Sequence, residues 1–199
     1  MSVIIPTHNQ KFSLSRAIDS VINQTTMQWE LLIIDDGSDD GTEKFIKDYF
    51  LLNKKIRYFR REYNGIVAAK NFGLKNAIGS YITFLDPEDE FLPSHLELRL
   101  RFMQTNTHVD LIHGGAVILQ NDKIKSCSYS EKETDQTKTF LKKFIGSTIF
   151  GKRKVFEFLS GFRNVDDYDK EFVEKAFDYF NIQRIDFPTY IVHKFRSNG

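Results

Sequence analysis

The sequence predicts an α/β fold, with a mostly parallel central sheet and helices on both faces. Two observations carry this. Over roughly the first ninety residues, short β-type runs alternate with stretches of helical spacing, the pattern of strands joined by crossover helices. The strand-like runs SVIIP, ELLIID and YITFL are also nearly continuous in apolar residues, as strands covered on two sides must be.

Each element has its own local reason. Ser2–Pro6 is a strand of branched residues stopped by Pro6, whose ring cannot donate to a ladder. Ser13–Gln24 sets Leu14, Ala17, Ile18, Val21 and Ile22 at helical spacing. Glu30–Asp35 is the second strand, and Thr42–Leu52 the second helix, with Phe45, Ile46, Tyr49 and Phe50 on one stripe. Ile56–Arg60 is a third strand. A turn at Asn64–Gly65 leads into a helix over Ile66–Ala77 that Gly79 ends. Tyr81–Leu85 is the fourth strand, and Pro93 opens a helix running to about Gln104.

Beyond Gln104 the periodicity weakens. Leu111–Leu119 and Lys123–Tyr129 are expected strands around a polar turn at Gln120–Asp122, followed by a polar loop over Ser130–Lys138. Phe140–Phe144, Ser147–Phe150 and Val155–Leu159 are short elements. Asp167–Phe180 is a helix burying Phe172, Val173, Ala176, Phe177 and Phe180, and two short strands flank Pro188. No repeat or linker divides the chain, so residues 1–199 are expected to form one domain.

Composition narrows the function classes. The 28 basic and 27 acidic residues nearly cancel, against the strong basic excess of a dedicated nucleic-acid binder. Cys127 is the only cysteine, which excludes an internal disulfide and fits a reducing compartment. SVIIP is too short, and lacks the basic leader, to be a signal peptide, and no window approaches ~18 unbroken apolar residues. These features lead to the expectation of a soluble, cytoplasmic protein. The 19 Phe chiefly fill a core, with a few available for partner or peripheral membrane contact.

Right-handed crossovers place the carboxyl ends of parallel strands on one edge, where open α/β sheets bind ligands. Thr7 and His8, Asp35 and Asp36, and the group Asp86 to Glu90 each follow such a strand. ELLIIDDGSDDGT, with Glu43 directly after it, crowds Asp35, Asp36, Asp39, Asp40 and Glu43 together with no cation among them. This is either a solvated turn or a charge that something outside the chain answers. FLDPEDEFLP is similar: its carboxylates suit Mg²⁺ or Mn²⁺, or serve as an acidic turn before a helix amino end.

The chain resembles the family-2 glycosyltransferases, the large inverting class with a GT-A fold. The resemblance runs through SVIIPTHN, SVINQTTMQWELLIIDDGSDDGT, NGIVAAKNFGLKNAIGSYITFLDPEDEF and GFRNVDDYDKEFVEKAF, four segments in the family's order from about residue 2 to 180. It implies a nucleotide-sugar-binding half over 1–104 and an acceptor-side half over 105–199. Pro6, Thr7 and His8 would line the base, and Asp36 would accept its ring N–H, leaving Asp35 to tie the turn. His8 stands where the family often has Tyr. Lys70, where Arg is frequent, would neutralise the diphosphate or else be a surface helix charge.

The family's D-x-D motif falls on Asp86–Pro87–Glu88, which would place Asp86 near the ribose or sugar and Glu88, with Asp86, on Mn²⁺ or Mg²⁺. Glu in place of Asp departs from the pattern. Asp89 matches a further acidic position. Asp167, of the pair Asp166–Asp167, would be the catalytic base, the alternative being helix capping by one of the two. His113 is structural or acceptor-side. The implied activity is inverting transfer from a nucleotide-activated sugar, UDP-sugar foremost, to a polysaccharide or lipid-linked glycan at the inner membrane face. Two other readings stay open: a weakly active relative that binds nucleotide or glycan, and a nucleotidyltransferase, for which PTHNQ lacks a Gly-rich phosphate cradle.

Overall fold

The computed structural model describes residues 1–120, 123–127 and 146–194. In chain order it builds β1 (Ser2–Thr7), α1 (Lys11–Ile22), β2 (Glu30–Asp35), α2 (Thr42–Leu52), β3 (Ile56–Arg60), α3 (Ile66–Asn76) and β4 (Tyr81–Phe84). These follow the expected series, with α1 starting two residues earlier than the apolar spacing indicates. The second half adds β5 (Glu90–Phe91), α4 (His95–Thr105), β6 (Leu111–His113), β7 (Ala116–Gln120) and β8 (Lys123–Cys127). A single 3-10 turn (Gly146–Thr148), β9 (Phe150–Lys152), α5 (Arg153–Phe158), α6 (Tyr168–Phe177), β10 (Ile182–Arg184) and β11 (Tyr190–Lys194) complete it.

Seven strands form a sheet in the order β10-β6-β9-β4-β1-β2-β3, parallel throughout except for β9, which runs against both neighbours. Successive residues of β1 and β2 face opposite layers. Val3, Ile5, Leu31 and Ile33 pack with Leu14, Ala17, Ile18 and Val21 of α1 and with Ile46 of α2. Ile4, Leu32 and Ile34 turn the other way, onto Val67 and Ala69 of α3 and Phe172 and Val173 of α6. Burying each of the larger of these side chains contributes roughly 1.5–3 kcal/mol. The two-sided burial explains why neither strand alternates in sequence.

Leu111–Leu119 is not one strand. Gly114 and Gly115, at φ 100° and 71°, break it into β6 and β7. A Cβ on Gly115 would stand 2.0 Å from the Phe187 carbonyl oxygen, so only glycine lets the chain pass. The break sends β6 into the large sheet and β7 into a second sheet of order β5-β11-β7-β8. The helix expected over Asp167–Phe180 is shorter: it buries Phe172, Val173 and Ala176 but leaves Phe177 39% exposed. Val155–Leu159 belongs to a helix, and Ser147–Phe150 spans the 3-10 turn and the start of β9. The expected loop at Ser130–Lys138 and element at Phe140–Phe144 lie outside the described residues, as do Asn121 and Asp122 of the expected turn.

Candidate active site

Because β1, β2 and β4 are parallel, their carboxyl ends share one edge. A cleft of about 740 Å³ opens there. One wall carries Pro6, Thr7, His8 and Asp36, and the floor of the acidic loop supplies Asp86, Pro87, Glu88 and Asp89. Tyr63 and Ile66 come from the segment after β3, Tyr168 from α6, and Val192, His193 and Lys194 from β11. A second pocket of about 280 Å³, between α3 and α5, is lined by Asn71, Leu74, Ile82 and Phe156 and holds none of the expected site residues.

The two carboxylates ending β2 divide their work. Asp35 is fully buried and accepts the Ser38 amide at 2.8 Å and the Tyr58 hydroxyl, so it ties the turn. Asp36 faces the cleft. Its Oδ2 accepts the amides of Asn64 (3.0 Å) and Gly65 (2.7 Å). Its Oδ1 lies 3.1 Å from Arg61 Nε in an ion pair whose alignment makes no hydrogen bond. The crowded charge is therefore answered in part from within, by groups about 25 residues further along the chain that no local sequence pattern reveals.

His8 donates through Nδ1 to the Asp36 carbonyl at 2.9 Å, and its ring packs on Tyr63 with centroids 4.7 Å apart. Thr7 is buried in the same wall, and its Oγ1 has no hydrogen-bond partner. Tyr63 and Arg61 were not singled out in the sequence. The NG turn beside them marks the loop, but only the β2–β3 pairing brings it over Asp36.

In the acidic loop the Asp86 amide donates to the Tyr190 hydroxyl at 3.1 Å, and the Asp86 carboxylate accepts the Ser147 hydroxyl. Asp89 accepts from Tyr190 Oη and from the His193 amide, both at 3.0 Å. Burial, and then the charge of Asp86, push Asp89 up to about 7. Glu88 is exposed and accepts Gln10 Nε2 at 3.0 Å. Among the described residues no three of His, Cys, Asp and Glu converge into a ready-made metal cage. A hard cation held by one or two carboxylates and by phosphate oxygens needs none. Asp86 and Glu88 fit that mode, since both are oxygen donors on the cleft.

Three expected residues sit elsewhere. Lys70 is neither a surface charge nor part of the cleft wall: it has no exposed area, and its Nζ contacts both oxygens of Asp169 at 2.8 and 3.0 Å. Burial works against its charge, but Asp169 and Asp86 outweigh it, so the pKa is raised and Lys70 stays an ammonium. Asp167 is exposed, stands next to the cleft residue Tyr168 and is not itself among the lining residues. It occupies the N-cap position of α6 at φ 52°, yet its side chain makes no capping hydrogen bond. His113 is buried at the end of β6, outside the cleft, and burial followed by Arg184 brings its pKa down to about 3, a structural placement.

Comparison with known proteins bears on this edge. Residues 2–159 match the family model described as glycosyl transferase family 2. An uncharacterized glycosyltransferase of Rickettsia felis is 44% identical over 109 residues, 55% of this chain and 18% of that protein. The Escherichia coli UDP-Glc:alpha-D-GlcNAc-diphosphoundecaprenol beta-1,3-glucosyltransferase WfgD is 34% identical over 125 residues, 62% of this chain and 48% of that protein. The chain thus spans about half, or less, of the length of these relatives. The crystal structure of S. aureus TarS 1-349 in complex with UDP-GlcNAc superposes with TM-score 0.82 at 21% identity, covering 100% of this chain and 59% of that one. The GT-A fold expected from the sequence is therefore the fold observed.

Proposed function

The chain belongs to glycosyl transferase family 2, and on that premise we propose that it moves a sugar from a nucleoside-diphosphate sugar to a glycan or lipid-linked acceptor. The observation that carries the proposal is the meeting of Thr7, Asp36, Asp86 and Glu88 in one cleft at the carboxyl edge. A UDP-sugar is the favoured donor, since a uracil ring N–H suits Asp36 Oδ1, one similar protein has UDP-Glc in its name and another was crystallised in complex with UDP-GlcNAc. Thr7 Oγ1 binds the base beside it, and His8 with Tyr63 supplies an aromatic edge for stacking.

In the reaction the acceptor oxygen forms its bond to the anomeric carbon as the bond from that carbon to the diphosphate oxygen breaks. The electron pair leaves with the nucleoside diphosphate, and the acceptor proton passes to a carboxylate on the opposite side. Asp167 takes that proton: it is exposed, uncommitted to capping, and adjacent to Tyr168 on the cleft. A divalent cation held by Asp86 and Glu88 would offset charge on the departing diphosphate. Lys194 brings a positive charge to the far wall, where Lys70 does not reach. The acceptor-side groups come from the 105–199 half.

Among the described residues no helix is long and apolar enough to cross a membrane. We place the protein in the cytoplasm, or at the inner membrane face through its acceptor.

Asp167→Asn tests the mechanism. Losing a general base lowers turnover by roughly 10²–10⁴-fold, while UDP affinity stays within about twofold, since the carboxylate touches no donor group before the chemistry. Unchanged turnover removes Asp167 from the mechanism. Tight UDP binding indifferent to Mn²⁺, with no donor hydrolysis, favours the second reading, a nucleotide-binding relative without catalysis; the exposed Glu88 at the metal position is its observation.

A further inference from the structure

Lys70 and Asn71 are consecutive residues of α3, and each reaches a residue about ninety to a hundred positions later in the chain. Asn71 holds Phe162 reciprocally: its Nδ2 donates to the Phe162 carbonyl and its Oδ1 accepts the Phe162 amide, both at 2.8 Å. Lys70 holds Asp169 through both carboxylate oxygens. Between these anchors residues 163–167 are exposed and Tyr168 is half-buried, and Asp167 has the left-handed backbone at φ 52°.

The two anchors are themselves tightly set. Lys70 Nζ lies 4.6 Å from the centroid of the Tyr168 ring and 5.2 Å from those of Phe84 and Phe162, so aromatic faces surround the ammonium. Asp169 is backed by Gly146, where a Cβ would fall 2.1 Å from Asp169 Oδ2. Gly161, before the first anchor, would put a Cβ 2.3 Å from Asn71 Oδ1. The neighbour of Gly146, Ser147, donates to Asp86 in the acidic loop. One short turn therefore backs the second anchor and touches the candidate cation-binding carboxylate.

We propose that Lys70 and Asn71 are positioning residues: together they clamp both ends of the 162–169 segment and so fix Asp167 and Tyr168 against the cleft. This rests on the proposed role of Asp167. The charge of Lys70 is spent on Asp169 inside the fold, and neither Lys70 nor Asn71 lines the cleft. A loop anchored only at one end would let the base wander by an ångström or more, which costs reaction rate far more than donor affinity.

The test uses Asn71→Ala, Asp169→Asn and Lys70→Arg in the full chain. Turnover of UDP-glucose and UDP-GlcNAc, UDP affinity by calorimetry, and amide hydrogen exchange over 160–170 are measured for each. Asn71→Ala and Asp169→Asn are expected to lower kcat by roughly tenfold or more, to leave UDP affinity within about threefold, and to speed exchange, each first at its own anchor. Lys70→Arg, which keeps the pair, is expected to retain most of kcat. Folded variants with wild-type kcat overturn the clamp, as does a fall in UDP affinity matching the fall in kcat/KM, which would return Lys70 to the diphosphate. If Asn71→Ala and Asp169→Asn fold too poorly to assay, Asn71→Asp decides, since it keeps the acceptor for the Phe162 amide and loses the donor to its carbonyl: faster exchange over 162–165 supports the clamp, and an unchanged segment overturns it. Absence of any donor turnover by the unaltered protein counts against the proposed function, and the exchange data then judge the clamp by themselves.

Discussion

Asp35 and Asp36 adjoin in sequence and face opposite duties: one is sealed beneath the turn by Ser38 and Tyr58, the other stands on the cleft with two backbone amides on one oxygen. A strand buried on both sides can deliver two neighbouring carboxylates only if they part in this way, since successive side chains leave a strand on opposite faces. Their substitution should therefore separate stability from binding.

Asp36→Asn is expected to weaken UDP binding by roughly ten- to a hundredfold, the loss of one charge-assisted hydrogen bond of about 1.5–3 kcal/mol. Asp35→Asn is expected to lower unfolding free energy by about the same energy, because a buried acceptor pair is disturbed, with UDP affinity in the surviving folded protein little changed. Calorimetric titration and urea unfolding of both variants check this. The reverse assignment of effects would show that the roles are exchanged.

Gly73 packs α3 on β1, and a Cβ there would fall 2.5 Å from Ile4 Cγ2. Gly73→Ala therefore destabilises by about 1–3 kcal/mol through overpacking, although alanine favours a helix by roughly 0.5–1 kcal/mol over glycine. Denaturant unfolding measures the sign: a more stable variant would mean that α3 can move off the sheet.

Acid should weaken the fold below about pH 6.5, where two buried histidines oppose protonation, although Asp89, raised to about 7, works in the other direction. Burial, with Arg99, drives His95 well below its usual pKa, and burial, with Arg184, takes His113 down to about 3. In the unfolded chain both titrate near about 6.5. Below that value the unfolded state binds more protons than the folded one, so stability is full at neutral pH and is lost as pH falls. His113 alone adds a slope of up to about 1.4 kcal/mol per pH unit. Unfolding free energy is expected to fall between about pH 6.5 and 5, with a flatter slope in His113→Gln whatever its stability at neutral pH. A profile flat over that window contradicts the neutral burial of both rings.

Much of this architecture is legible in the sequence because it is local. The apolar runs of β1 to β4 and the helical stripes between them are set by residues within a turn or two of one another, and Thr7, Asp36, Asp86 and Glu88 follow from where those strands end. The division of labour between Asp35 and Asp36 was also readable from the family pattern. What escaped was non-local. Arg61 and Tyr63 reach Asp36 and His8 only through the β2–β3 pairing, and His193 and Lys194 arrive on a strand of the second sheet. Leu111–Leu119 looks continuous by hydrophobicity, and the two glycines that split it matter only because Phe187 passes within reach. Lys70 could not be placed, since a lysine on a helix gives no sign that an aspartate 99 residues away will bury it.

Divalent ions should couple to nucleotide binding through the acidic loop. Mn²⁺ is expected to tighten UDP binding in the unaltered protein. Glu88→Gln, which removes one charged ligand, should reduce that gain by roughly tenfold, while UDP binding in a chelator stays the same for both. An equal Mn²⁺ effect in Glu88→Gln would take Glu88 off the ion.

The account turns on one cleft receiving the nucleotide and its cation together. A crystal structure grown with UDP and Mn²⁺, with the ion located by its anomalous signal, tests this most directly. The expected result is the uracil N–H on Asp36 Oδ1, with the ion between the diphosphate and the Asp86–Glu88 loop. A nucleotide bound away from the carboxyl edge, or an ion held by neither carboxylate, would contradict it.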